Sequence, residues 1–489
     1  MRHALGFYHA LTITGLYALP DTDSSFDATN LDNFIPAMKH CIATHPILSV
    51  VIQGESTENP CFVQPKSLNL RNHLHLIDTL FPARDDIHGI TRLTKEIHDQ
   101  PFRNVDQQPP WKVFIVPLTD EEKPSPRVYI VFAYSHSHGD GKSGLEFHRT
   151  FLEGLRTANE TYDQSHIYQI SNLASLLPPP LEQAANLTIT WRYLFLNLFG
   201  GYIPNIACRL FDFQPPVNIA HASMAWTGKV MSYDPSHFHT GSEVLLIKKE
   251  LLNAVLKICR ENDVKFTGFL NHLIAHILHR RISQDGDENT KKQTLLGQIV
   301  VDLRPMIPAY AKNENQMGNS VSALYVSCTQ SRKSGKDTTA CLTHDTTFWN
   351  DARRTTVQLA ECASTLVDQP IGLLRYLDSF RPWFLGKLGK NRDSSYEISN
   401  AIVFDPMSQS LNDSHAGKEN WDIERVLFSQ PANVTGSPLS FQIVTRKDSD
   451  MIITLNWQLG VLGVSDEDAF VLGILDRVHD LLTEITGVV

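Results

Sequence analysis

Residues 127–158, RVYIVFAYSHSHGDGKSGLEFHRTFLEGLRTA, constrain the fold more than any other stretch of the chain. The first eight are apolar on both faces of an extended chain, the pattern of a strand covered from both sides. Leu145, Leu152 and Leu155 with Phe151 then recur at helical spacing. Between them lie two histidines, an aspartate and three glycines, so the chemistry-bearing residues sit at a strand-to-helix corner. WKVFIVPL at 111–118 reads as a second buried strand. TNLDNFIPAMKHCIATHPILSVVI gives a helix with Phe34, Met38 and Ile42 on one face, ended by Pro46 and followed by a β-branched strand.

At 489 residues the chain exceeds what one hydrophobic core supports, so two domains are expected. Patterning fades over QPPVNIAHASMAWTGK, which places a crossover at 206–242 between an N-terminal domain, 1–205, and a C-terminal domain, 243–489. The second half opens with two helices, the latter capped by Thr267. GQIVVDLRP is a strand, SFQIVT and MIITLNWQL form a hairpin around 447–450, and a final helix starts at Ser465 with a capping-box pattern to Asp468. The apolar segment 187–204, LTITWRYLFLNLFGGYIP, reads as a buried helix, with contact to a membrane surface as the alternative. No run reaches the roughly 18 apolar residues of a spanning helix. The N-terminus, interrupted by Tyr8, His9, Thr12 and Thr14, reads as a first strand and not as a signal peptide.

A net charge of -10 with no Lys/Arg run excludes the electrostatic footprint of a nucleic-acid binder. Seven scattered cysteines with no C-x-x-C spacing favour a reducing, cytoplasmic setting over a disulfide frame or a zinc knuckle. His272, His276 and His279 share a helical face, but Leu273 stands where a zinc-protease helix has its glutamate, so no metal is expected. The phosphate-loop pattern G-x-x-x-x-G-K-[ST] and a G-x-S-x-G elbow are absent. His136 remains. At the end of a buried strand its imidazole is held rigidly, and a pKa near ~6.5 lets it take up and return a proton near neutral pH.

The stretch SHSHGDGKSG resembles the H-x-x-x-D-G motif of the CoA-dependent acyltransferases, which include chloramphenicol acetyltransferase, the plant BAHD enzymes and peptide-synthetase condensation domains. Within that superfamily the chain is most similar to the fungal alcohol acetyltransferases, including the trichothecene 15-O-acetyltransferases. The likeness runs nearly end to end, through MKHCIATHPILSVVI, PPWKVFIV, VDLRPMIPAYAKNENQMGNSVSAL and VLFSQPANVTGSPLSFQIVT. YEISNAIVFDP is similar to the family's S-N-x-G stretch, with Ala401 and Ile402 in place of x-Gly, and the plant D-F-G-W-G motif is absent.

The resemblance implies an α/β fold of two chloramphenicol-acetyltransferase-like domains, each a mixed β-sheet flanked by helices, with the active-site channel at their interface. It implies His136 as general base and a structural salt bridge from Asp140, next to the motif glycine Gly141, to Arg304 in the other half. Asn400 and Ser399, with Asn319 behind them, are the candidate oxyanion or substrate contacts. His138 has the wrong spacing to Asp140 but, two residues from His136, is kept as a secondary candidate. The implied function is transfer of an acyl group, foremost acetyl, from acetyl-CoA or another acyl-CoA to a hydroxyl of a fungal secondary metabolite or other alcohol. Direct transfer in a ternary complex is expected, by a monomer, without metal or carrier protein. An N-acyltransferase, or a fold relative with a cyclase or binding function, is the alternative.

Overall fold

The computed structural model of the chain describes residues 1–19, 26–77, 86–118, 127–157, 165–170, 177, 179–199, 225–285, 294–308, 310, 316–329, 342, 345–407 and 421–488. The helices are α1 (Ile35–Thr44), α2 (Asp86–His98), α3 (Gly141–Thr157), α4 (Leu181–Ala184), α5 (Trp191–Phe199), α6 (Lys249–Glu261), α7 (Phe266–Asp285), α8 (Thr346–Cys362), α9 (Phe380–Leu385) and α10 (Glu467–Thr486).

The first sheet is built around β1 (Ala10–Ala18), β5 (Leu74–Leu76), β6 (Trp111–Leu118) and β7 (Arg127–Ser135), with β13 (Asp422–Ser429) at its edge, in the order β13-β1-β7-β6-β5. β5 and β6 run parallel and the other pairs antiparallel. The double-sided apolarity of β7 follows from what covers it. Val128, Ile130, Phe132 and Tyr134 pack toward α1 and α3, while Tyr129, Val131 and Ala133 pack with Ile90 and Ile97 of α2. The strand whose end carries His136 is thus held by packing on both faces.

The second sheet joins β9 (Thr240–Ile247), β10 (Thr294–Asp302), β11 (Val321–Thr329), β12 (Tyr396–Phe404), β14 (Leu439–Arg446) and β15 (Met451–Gln458) in the order β11-β10-β12-β14-β15-β9. α6, α7, α8 and α10 contribute to one large core with it. Two small pairs complete the sheets: β2 (Val51–Gln53) with β3 (Cys61–Val63), and β4 (Ser67–Asn69) with β8 (Ile167–Gln169). β13 comes from the second half of the sequence yet pairs with β1, so the first sheet is completed by the far end of the chain. The expected linker at 206–242 lies outside the described residues up to 224, and Ala225 already bridges to Thr294 at the start of β10.

Several local expectations change. α5 is not a buried helix: of its residues only Leu196 is buried, while Trp191, Phe195, Leu198 and Phe199 are exposed; residues 200–204 lie outside the described residues. Thr267 lies inside α7 and not before it, and its hydroxyl accepts from Asn400. The last helix is capped by Asp466, one residue later than expected, whose carboxylate accepts from the Ala469 N–H at 2.9 Å.

The α3–β1 contact depends on Gly144. A Cβ there would overlap Ile13 Cγ1 and lie 2.7 Å from the Tyr134 hydroxyl. Gly144→Ala is therefore expected to destabilise the protein by about 1–3 kcal/mol, read as a lowered midpoint in urea or thermal unfolding.

Candidate active site

His136 follows β7 directly, in a turn closed by the His138 N–H donating to the Ser135 carbonyl at 2.8 Å. The ring is half-buried. It borders a cavity of about 260 Å³ that Arg2, Tyr8, Ile52, Phe62 and Asn319 also line. The Tyr8 ring centroid lies 5.8 Å from that of His136, and the Tyr8 hydroxyl donates to Gln430 at 2.8 Å. Asn319 places its side-chain nitrogen 3.1 Å from His136 Nδ1 and 3.2 Å from the His136 carbonyl oxygen, to which it donates. With Nδ1 so engaged, Nε2 is the nitrogen left for a reacting group.

Burial pushes the His136 pKa down to about 4, helped by the positive charge of Arg2 and opposed by Asp140. The imidazole is thus neutral across the physiological range, the state a proton acceptor needs. If this neutral ring does the chemistry, kcat/KM should stay level from neutral pH down to about 5 and fall as pH drops through about 4, because protonation removes the active form. A pH–rate profile with its acid limb near 6.5 would contradict the depressed value.

Asp140 points away from the cavity into a closed polar knot. Its two carboxylate oxygens meet the Arg304 guanidinium at 2.8 and 2.9 Å, a two-pronged pairing. They also accept from the N–H groups of Ser143 and Ser320, each at 3.1 Å, the Ser143 bond being the one a residue preceding a helix makes. Burial alone would raise this carboxyl, but the charge and hydrogen bonds of Arg304 hold it below its usual range. Arg304 gives a further bond to the Gly318 carbonyl, 2.8 Å, and one to Asp302, 3.0 Å. Asp302 in turn pairs with Lys142 at 2.7 Å. The knot ties the corner 136–144 to the strand ends β10 and β11 of the other sheet. Gly141 closes the corner from below: a side chain there would run into Phe428 of β13, with 2.9 Å to Cζ.

The remaining candidates separate by place. His138 is fully buried, with Nε2 3.0 Å from the Val50 carbonyl and Nδ1 3.0 Å from Ser137 Oγ, so it braces the turn and does not line the cavity. Ser399 and Asn400 lie on β12, also away from the cavity; Asn400 donates to Thr267 and accepts from the Ile402 N–H. Of the three oxyanion candidates only Asn319 reaches His136. On the helix face of α7, His272 Nε2 meets Thr355 Oγ1 at 2.9 Å and His279 Nε2 meets the Cys328 carbonyl at 3.2 Å. Among the described residues no group of three or more His, Cys, Asp or Glu side chains could hold a metal ion. No helix among them is long and apolar enough to cross a membrane. Tyr8 and Arg2 of the cavity leave no signal in the sequence that marks them as site residues, whereas Ser143, three residues after Asp140 at a helix start, carries a readable capping signal.

At Ile402 the structure departs from what suits its side chain. The residue takes φ +65°, in the left-handed region, at a bulge between β12 and β14. A β-branched residue is strained there and glycine is not. Ile402→Gly is expected to stabilise by about 1 kcal/mol, an increase in unfolding midpoint that a loss would contradict.

Comparison with known proteins matches this chain to a family model described as alcohol acetyltransferase, over residues 84–478. The probable alcohol acetyltransferase FCK4 of Fusarium pseudograminearum is 25% identical over 96% of this chain and 92% of its own length. The probable alcohol acetyltransferase crmB of Aspergillus fumigatus is 23% identical, over 96% and 94%. Among solved structures, TRI3 trichothecene 15-O-acetyltransferase from Fusarium sporotrichioides superposes with a TM-score of 0.66 at 12% identity, covering 98% of this chain and 92% of that one. That likeness shows the fold, two sheet-plus-helix bodies of the chloramphenicol acetyltransferase kind.

Proposed function

The chain belongs to the alcohol acetyltransferase family, and from that premise we propose that it transfers an acyl group, foremost acetyl, from acyl-CoA to an alcohol, with His136 as general base. The observation that carries this is the His136 ring, held at a strand end beside a cavity of about 260 Å³ by a corner locked through Asp140 and Arg304. For Nε2 to accept a proton, Nδ1 must carry the hydrogen, and Asn319 must then turn its amide oxygen to Nδ1 at the cost of its bond to the His136 carbonyl.

His136 takes the proton of the acceptor hydroxyl as its oxygen attacks the thioester carbonyl. The tetrahedral intermediate then collapses, the carbon–sulfur bond breaks, and the imidazolium returns the proton to the departing sulfur. A thiol pKa near ~8.5 makes that departure easy, and a donor to the oxyanion adds about 3 kcal/mol; Asn319 is the side chain placed to serve or to orient the ring. Residues 1–205 and 243–489, joined through 206–242, are proposed as the two domains, with β13 reaching back across the divide. A hydroxylated small molecule of secondary metabolism is the proposed acceptor.

The test is release of the CoA thiol from acetyl-CoA against a panel of hydroxylated terpenoids, polyketides and simple alcohols, each beside its amine analogue. Release that follows the hydroxyl compounds is expected. Release only with amines would replace O-acylation by N-acylation, and absence of any heat or thermal shift with CoA would favour a binding role.

A further inference from the structure

The first residues of the chain, Met1, Arg2 and His3, line the His136 cavity. Backbone bonds from Leu5, Gly6 and Phe7 back to Met1, His3 and Arg2 close this segment on itself, at 2.9 to 3.1 Å. His3 pins it: Nε2 accepts from the Phe102 N–H at 3.1 Å, which puts the hydrogen on Nδ1, and Nδ1 donates to Glu55 at 2.6 Å. The anchored segment sets the Arg2 guanidinium 4.7 Å over the Tyr8 ring, whose neighbour is His136.

This guanidinium has no hydrogen bond or ion pair among the described residues. Each nearby carboxylate is engaged elsewhere. Glu55 holds His3, and Glu58 accepts from the Phe380 N–H at 3.0 Å. Glu397 takes its bonds from Gln298, Gln430 and Ser440. A half-buried arginine that borders a cavity and makes no hydrogen bond or ion pair, with Glu397 acting on it only across space, is suited to a planar anion. Its charge also reaches the base, since after burial it is the strongest influence lowering His136. An anion seated on Arg2 would cancel that influence, making the ring a stronger base when the right molecule is bound.

We propose that Arg2 recognises the acceptor and that the acceptor is a hydroxy acid, its carboxylate paired with the guanidinium while its hydroxyl faces His136. The proposal rests on the reading of this cavity as the acceptor site. The CoA phosphates are the other source of anion, but the whole pantetheine arm separates them from the sulfur that must react beside His136, whereas Arg2 is one aromatic ring away from it.

The experiment uses the full chain with a panel of hydroxy acids, each paired with its methyl ester, as acceptors for acetyl-CoA and as ligands in calorimetry without it. Wild type should favour acids over esters on the order of tenfold or more in kcat/KM and in affinity, as a charge-assisted pair implies. Arg2→Gln should bring that ratio near one, and Arg2→Lys should keep part of it. Esters that match acids in the wild type, a preference that survives Arg2→Gln, or no binding of any acid would each overturn the proposal. Acid binding that depends on Arg2 but with no acyl transfer to any alcohol would instead overturn the transferase reading, and with it the acceptor role, while leaving Arg2 as the carboxylate-binding group of this cavity. If Arg2→Gln raises KM for acetyl-CoA with an ester acceptor but not KM for acetyl-N-acetylcysteamine, which lacks phosphates, the guanidinium reads the donor and the proposal fails.

Discussion

Arg304→Ala is expected to destabilise the protein by about 3–5 kcal/mol, the usual cost of stripping one partner from a buried ion pair. Arg304 and Asp140 are 4% and 3% exposed, so the carboxylate left behind would have no water to replace the guanidinium. It would either stay charged at high cost or take up a proton and surrender its bonds to Ser143 and Ser320. Removing both charges, as Asp140→Asn with Arg304→Met, should cost less than the sum of the two single changes, because no uncompensated charge remains. Urea denaturation of the four proteins gives the coupling directly. Additive losses would mean that the two side chains do not act as a pair. The loss should carry into activity as well, since this knot holds the corner that presents His136.

His136→Ala should lower kcat by roughly 10²–10⁴-fold, the range of a positioned general base, with KM for acetyl-CoA little changed. That split follows from the proposed role: a general base acts on a proton in flight and contributes little to holding the donor. The substitution removes a half-buried side chain from a cavity wall and breaks no ion pair, so the unfolding midpoint should move little. Turnover close to wild type would remove His136 from the chemistry.

How far the sequence reveals this molecule depends on the kind of signal each part leaves. β7 and the corner after it were legible because burial on both faces writes a continuous apolar run, and helix α3 answers with its own period. The hairpin β14–β15 was legible through its turn residues. Arg304 was not deducible from spacing, being 164 positions from Asp140, and came only through resemblance. Apolar composition misled at α5, where Trp191, Phe195, Leu198 and Phe199 face outward: hydrophobicity records what a segment can bury and not whether it does. The strand exchange that brings β13 to β1 leaves no local mark at all, because edge pairing between distant strands is decided by the assembled sheet. The same holds for Arg2, whose significance lies in the carboxylates that its neighbours have already taken.

The central claim is direct transfer, assisted by His136, within a complex of donor and acceptor. Its most direct test is to mix the protein with acetyl-CoA, with and without an accepted alcohol, quench within the first turnovers, and read intact protein mass and ester together. Unmodified protein throughout, with CoA and ester formed in equal amounts only when the alcohol is present, is the predicted result. An acylated protein that passes its acyl group to the alcohol, or CoA released at the same rate without it, would contradict the account.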